Sequence, residues 1–191
     1  MRKLVLLLTL LLAFSFNSNG QASRSDKEWF ASVGLNAINS QGTRSPVGKM
    51  DEWAINIPIS LAVEVAWTSG LSIEQSFTIN SFSEGDIIDN GVLREDFTYF
   101  SFDTHAKYYF GKHIFPQVDW IDFYGNAGVG FFNIDETNVS LNLGGGVLFW
   151  LNRRQTIGIR AQVIGKFALD HSESGFDNNH FQTHLQAIFA L

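Results

Sequence analysis

The chain has 191 residues, with 45% hydrophobic, 14% aromatic and only 17% charged side chains, so it is one domain's worth of protein, too poor in charge for disorder or a solvated coiled coil. It contains no cysteine, which excludes disulfides, thiolate metal sites, a cysteine nucleophile and a lipidated cysteine. A net charge of -6 speaks against nucleic acid as a partner, because a polyanion needs a basic face.

Arg2 and Lys3, the apolar run from Leu4 to Phe16, and small residues at Ser18 and Gly20 predict a secretory signal peptide over residues 1–20, cut near Gln21. The run is shorter than the roughly 20 residues a spanning helix needs. Removing it leaves 11 basic against 19 acidic residues in the exported domain, residues 21–191. No later apolar run approaches spanning length, so the exported chain is either soluble or crosses a membrane as strands.

Periodicity predicts eight strands. In the first, Trp29, Ala31, Val33, Leu35 and Ala37 alternate with Ser32, Gly34 and Asn36. The second reads period two from Trp53 to Trp67, with Pro58 predicting a local bulge. Thr68-Ser69-Gly70 turns the chain into a third strand through Leu71, Ile73, Phe77 and Ile79. Further strands follow over 100–110, 121–131, 138–149, 157–166 and 181–191. Polar, mostly long connections at 38–51, 81–96, 133–138 and 169–179 alternate with shorter ones at 67–70, 111–118 and 151–155. That arrangement predicts an all-β fold, an eight-stranded antiparallel up-and-down barrel with long loops at one mouth.

A closed eight-strand sheet is either oily outside with a polar filling, or polar outside with an apolar ligand cavity as in a soluble periplasmic lipocalin-like carrier. Three features favour the first, a transmembrane β-barrel in contact with outer-membrane lipid. The strands are long enough to cross a bilayer when tilted. The polar face mixes charges with many Gly, Ala and Ser residues, which suits a crowded lumen. Aromatic residues cluster at strand ends, among them Trp29, Trp67, Tyr109, Phe110 and Phe189 at the short-turn end and Trp53 at the other, as membrane-interface belts do. Trp120 and Trp150 fall on the inward parity and require a bulge or an inward plug.

The segments Glu28-Trp29-Phe30-Ala31-Ser32-Val33-Gly34-Leu35-Asn36-Ala37, Asp122-Phe123-Tyr124-Gly125, Asn142-Leu143-Gly144-Gly145-Gly146 and Asn179-His180-Phe181-Gln182, in this order and spacing, resemble the OmpA-type outer-membrane β-barrel family. That eight-stranded group includes OmpX- and OmpW-like proteins. The resemblance implies residence in the outer membrane of a Gram-negative-type envelope and brings no catalytic motif. Many members continue into a peptidoglycan-binding domain, a function not expected of this sequence, which stops on its eighth strand.

The polar face predicts a lumen charge network. Glu64, Glu74 and Asp122 are expected to converge with Lys107 and Arg160 in the half near the short turns, fringed by His105 and His184, with Asp103 and Lys166 on the same face. A static plug is favoured over a gate, because a barrel this narrow is filled by side chains. Ser101, Asp103 and His105 form the one cluster that could suggest catalysis, but they lie on one strand face inside the lumen, so no enzyme activity is expected. The acidic loops lack the ligand spacing of a calcium site, and neither a metal nor a cofactor is expected. The expected role is envelope structure or surface interaction by a monomer, with extracellular ligands met through loops 38–51, 81–96 and 169–179. A narrow channel for small or apolar solutes is the alternative.

Overall fold

The computed structural model describes residues 27–39, 45–88, 91–170 and 179–191. The signal peptide predicted over residues 1–20, and the loop acids Asp89, Glu173 and Asp177, lie outside the described residues. Among the described residues ten strands form: β1 (Lys27–Ile38), β2 (Ile59–Trp67), β3 (Leu71–Phe82), β4 (Ile87–Ile88), β5 (Gly91–Val92), β6 (Phe97–Tyr109), β7 (Ile121–Asn133), β8 (Thr137–Trp150), β9 (Ile157–Ala168) and β10 (His180–Ala190). Eight of them close a barrel in the order β1-β10-β9-β8-β7-β6-β3-β2, while β4 and β5 make a small separate hairpin. Every barrel neighbour pairs antiparallel, and β1 closes the ring on β10 with Phe30 opposite Ala190 and Ile38 opposite Gln182.

Alternation sorts the side chains into two environments. Val33, Leu61, Ile73, Val129, Leu143 and Leu185 are exposed on the outer wall, whereas Ser76, Asp103, Asn142, Gln162 and His184 are buried inside. This polarity is the reverse of a soluble barrel around an apolar cavity and matches one that meets lipid. The lumen is apolar at its two ends. At the long-loop mouth Ile38, Ala54, Phe82, Leu93, Tyr99, Phe132 and Ile134 pack together. At the short-turn mouth Phe30, Leu148 and Ile188 do so, backed by Ala66, Tyr109 and Trp150.

Three expectations about elements need correction. The second strand begins at Ile59, not Trp53, and Pro58 precedes it rather than bulging it. Proline has no amide to give a ladder. The Ile59 amide turns back to the Ile57 carbonyl, at 2.9 Å, and Ala54 reaches the sheet through a single bridge to Ile38. The 81–96 loop is largely ordered backbone: β3 runs on to Phe82, β6 starts at Phe97, and the β4–β5 hairpin folds between them. The 111–118 connection carries a helical turn, α1 (Gly111–Ile114). The β2–β3 turn is as tight as predicted, with Gly70 at φ 80° and its amide 3.0 Å from the Trp67 carbonyl. A side chain there would meet the Tyr109 carbonyl as well as the unfavourable dihedral.

Candidate functional site

The lumen between the two apolar ends holds three carboxylates and three cations, all at most 2% exposed. Cross-strand register brings them together: Glu64 on β2 stands opposite Glu74 on β3, and Glu74 opposite His105 on β6. Two like charges face to face are tolerable only when cations lie between them. Arg160 on β9 supplies one, with Nη1 2.5 Å from Glu64 Oε2 and Nη2 2.5 Å from Glu74 Oε2. Lys107 on β6 supplies the other, with Nζ 2.6 Å from Glu74 Oε2 and 3.3 Å from Glu64 Oε2. Arg160 has further acceptors, Gln186 Oε1 at 3.0 Å and Ser32 Oγ at 2.9 Å, while the Lys107 ammonium sits 4.8 Å from the centre of the Tyr124 ring.

Asp103 and Lys166 form a second centre further from the short turns, with Lys166 Nζ 2.5 Å from Asp103 Oδ1. Asn142 Nδ2 donates to the same oxygen at 2.9 Å and the Ser101 hydroxyl to Oδ2 at 3.0 Å. His105 stands between the centres, its Nε2 3.2 Å from Asn142 Nδ2 and its Nδ1 3.8 Å from Glu74 Oε1. Because the Asn142 amide nitrogen can only donate, Nε2 is the accepting nitrogen and the proton is assigned to Nδ1, facing Glu74. His184 belongs to a neutral network: Nδ1 is 2.9 Å from the Ser60 hydroxyl and Nε2 is 3.3 Å from Gln182 Oε1.

Of the predicted lumen residues, the structure gathers Glu64, Glu74, Lys107 and Arg160 into one centre and Asp103 with Lys166 into another. Asp122 joins neither. Its Oδ1 accepts the Gly111 amide at 2.7 Å and the Phe123 amide at 2.9 Å, because at the end of β7 the nearest donors are the backbone groups of the α1 connection. Tyr109 was expected at the membrane interface but points inward and donates to Glu64 Oε1 at 2.8 Å. Its neighbour Tyr108 takes the outer wall.

The remaining predicted aromatics divide. Trp29 and Phe189 are exposed on the outer wall, and Trp67 is half-buried with Lys27 Nζ 5.9 Å from its ring centre. Phe110 is half-buried just past β6, held by its amide to the Phe123 carbonyl. Trp53 lies in a loop rather than a strand, with Nε1 2.9 Å from the Gly48 carbonyl. The two tryptophans of inward parity separate: Trp150 turns in and packs its ring 5.8 Å from that of Phe30, while Trp120 is out and stacks on Phe149.

Parity alone missed the space that lets the charged chains lie across the lumen. Gly128, Gly130, Gly144 and Gly146 face inward on β7 and β8, where a Cβ would press on His105, Asp103, Asn126 and Tyr124 respectively. Their signal in the sequence is a run of small residues on the same parity as bulky polar residues in the adjacent strands. Chemically the arrangement is a set of buried ion pairs. The Ser101 hydroxyl donates a hydrogen bond to Asp103 Oδ2, whereas the His105 Nε2 faces Asn142 Nδ2. A recess of about 440 Å³ opens at the short-turn mouth and is lined as deep as Glu64 and Tyr109.

No family model matches the chain, and no curated protein matches it by sequence. Among solved structures it is similar to the N-terminal β-barrel domain of Pseudomonas aeruginosa OprF, with a TM-score of 0.53 and 14% identity over 87% of this chain and 98% of that one. It is similar also to Neisserial surface protein A, with a TM-score of 0.51 and 12% identity over 87% of this chain and 97% of that one. With its closed eight-strand topology, outward apolar wall and these two likenesses, the chain has the fold of the eight-stranded, OmpA-type outer-membrane β-barrels.

Proposed function

We propose that the protein is a lipid-embedded barrel of the outer membrane with a shut lumen, and that it acts through its surfaces, in envelope structure or in contacts made by its long loops. The observation that carries this reading is the lumen itself. Its three carboxylates and three cations balance one another in direct contact, and an apolar cluster stands above and below them. The short-turn recess ends on Glu64, so opening a path for solutes would require separating the buried ion pairs and unpacking the long-loop cluster, which a static plug avoids. The long-loop end carries exposed acidic side chains, among them Glu95, Asp135 and Glu136, and suits partners with cationic groups.

Two measurements test the reading. Protein recovered in carbonate-washed outer membranes should change gel mobility on boiling, as closed lipid barrels do, and recovery in the soluble periplasm without a shift would refute membrane residence. In planar bilayers the folded protein should give no conductance steps. Steps that vanish on altering Glu64 or Arg160 would instead support the narrow-channel reading and overturn the plug.

A further inference from the structure

The connection between β6 and β7 borders the recess at the barrel mouth through Lys112 and His113 and lays its aromatic side chains against the outer wall. Phe115 packs on Phe123 with ring centres 6.2 Å apart, and Trp120 stacks on Phe149 at 6.2 Å. His113 stacks on Tyr108, its Nε2 2.9 Å from the phenol oxygen. The β8–β9 turn is bonded to the same segment, since the Trp150 amide donates to the Trp120 carbonyl at 2.8 Å and Gln155 Nε2 to the Asp119 carbonyl at 2.8 Å. The two connections therefore make one ledge at the short-turn end.

From this ledge Ile114, Phe115, Trp120 and Leu151 project, 55%, 46%, 59% and 62% exposed, outside any strand. Beside them Lys112, Arg153 and Arg154 are exposed; Asp119 is the acidic side chain on the ledge itself, while Glu28 and Asp122 line the adjoining recess with Lys112. The opposite end of the barrel has the opposite sign, with Glu84, Asp86, Glu95, Asp96, Asp135 and Glu136 against Arg94 and a Lys49 already paired to Glu52. Large apolar side chains next to exposed cations at a membrane boundary suit a surface of anionic headgroups over acyl chains. An anionic surface would be repelled at the far end.

We propose that this ledge docks on anionic phospholipid in the leaflet on the short-turn side, with Lys112, Arg153 and Arg154 at phosphate level and Ile114, Phe115, Trp120 and Leu151 among the first acyl carbons. The proposal rests on the reading of the chain as a lipid-embedded barrel. It specifies which end, which residues and which headgroup charge.

The test compares the protein refolded into vesicles of phosphatidylcholine alone and of equal parts phosphatidylcholine and phosphatidylglycerol, following the temperature at which the boiling-dependent gel shift is lost. The anionic vesicles should raise that temperature by about 6 °C, and concentrated salt should erase the gain. The triple variant Lys112→Gln, Arg153→Gln, Arg154→Gln should match the unaltered protein in phosphatidylcholine and show no gain with phosphatidylglycerol. Equal midpoints for the unaltered protein in the two vesicles would overturn the proposal, as would a gain that survives in the triple variant. A midpoint indifferent to phosphatidylglycerol that rises with protein-to-lipid ratio would assign the ledge to a second copy and equally overturn it. Failure to obtain any boiling-sensitive band in either vesicle would refute the barrel reading itself, an outcome distinct from the others.

Discussion

A buried charge must keep its counter-charge, so each member of the inner cluster has a consequence that can be measured. Arg160 is the member with most partners, touching Glu64, Glu74, Gln186 and Ser32. Arg160→Leu should destabilise the barrel by about 3–5 kcal/mol, lowering its denaturation midpoint by roughly 10 °C. Adding Glu74→Leu should restore part of the loss, because Lys107 can then pair with Glu64 alone. An unchanged midpoint in the single variant would remove the network as a stabilising element. A second contrast concerns the inward glycines. Gly130→Ala drives a methyl into the Asp103 carboxylate and should cost about 2 kcal/mol. Gly125→Ala, on the outer wall with nothing closer than 4.0 Å, should change stability by less than about 0.5 kcal/mol in the same thermal assay. At this scale inward parity is legible in the sequence, and it is what groups Glu64, Glu74, Lys107 and Arg160. The sequence does not reveal how parity yields to local donors at a strand end. Asp122 has the right parity and the wrong neighbours, since backbone amides lie closer to it than any cation. Tyr109 was misread because its aromatic ring suggested an interface, while its parity, correctly followed, sends the phenol to Glu64.

Strands are legible wherever both faces of the alternation are constrained, one as an outward apolar wall and the other by the packed lumen. A one-residue slip in such a strand exchanges the two environments, so β7 and β8 keep one register over thirteen consecutive pairs from Ile121 opposite Phe149 to Asn133 opposite Thr137. Alternation misled only where it outlasted the sheet. Residues 53–57 keep period two, yet they lie outside β2, because Pro58 withholds the amide that the ladder needs and Ala54 serves the outer apolar cluster. The small β4–β5 hairpin had no signal beyond its turn residues, and its purpose became visible only when Leu93 was found 2% exposed within that same cluster. Three connections thus contribute one side chain each, Ala54, Leu93 and Ile134, to the stopper over the long-loop mouth. Leu93→Ala should cost about 2–3 kcal/mol, most of it as local opening. Faster hydrogen exchange should then be found at the Leu93 amide, now 2.9 Å from the Asp86 carbonyl, with little change in the ladder of β3 with β6. Equal acceleration throughout the barrel would contradict a separable stopper.

The barrel as a whole joins two solvents, and its stability should depend on depth in a way no soluble protein's does. Between the strand ends the outer wall is largely apolar, its Gln75 and Thr104 satisfying each other with a 2.8 Å hydrogen bond, and the charged groups that would be costly in lipid are enclosed in the lumen. Leu143 is 63% exposed near the middle of β8, whereas Leu151, 62% exposed, lies just past that strand's end at the short-turn boundary. Their exposures are nearly equal, so in a protein surrounded by water an arginine at either position would have nearly the same small effect. In a bilayer the two must differ. Leu143→Arg should destabilise the barrel by about 2–4 kcal/mol and Leu151→Arg by about 0–1 kcal/mol, since a charge at the midplane has no water to reach while one at the boundary does. Denaturant titrations of the two variants in phospholipid vesicles measure the difference directly. Transferring the same variants to a short-chain detergent, whose micelle thins to let water reach Leu143, should shrink it. A ratio near one in vesicles would mean that the apolar wall does not lie across the hydrocarbon layer, and with it the assignment of lipid to the outside of this barrel would fall.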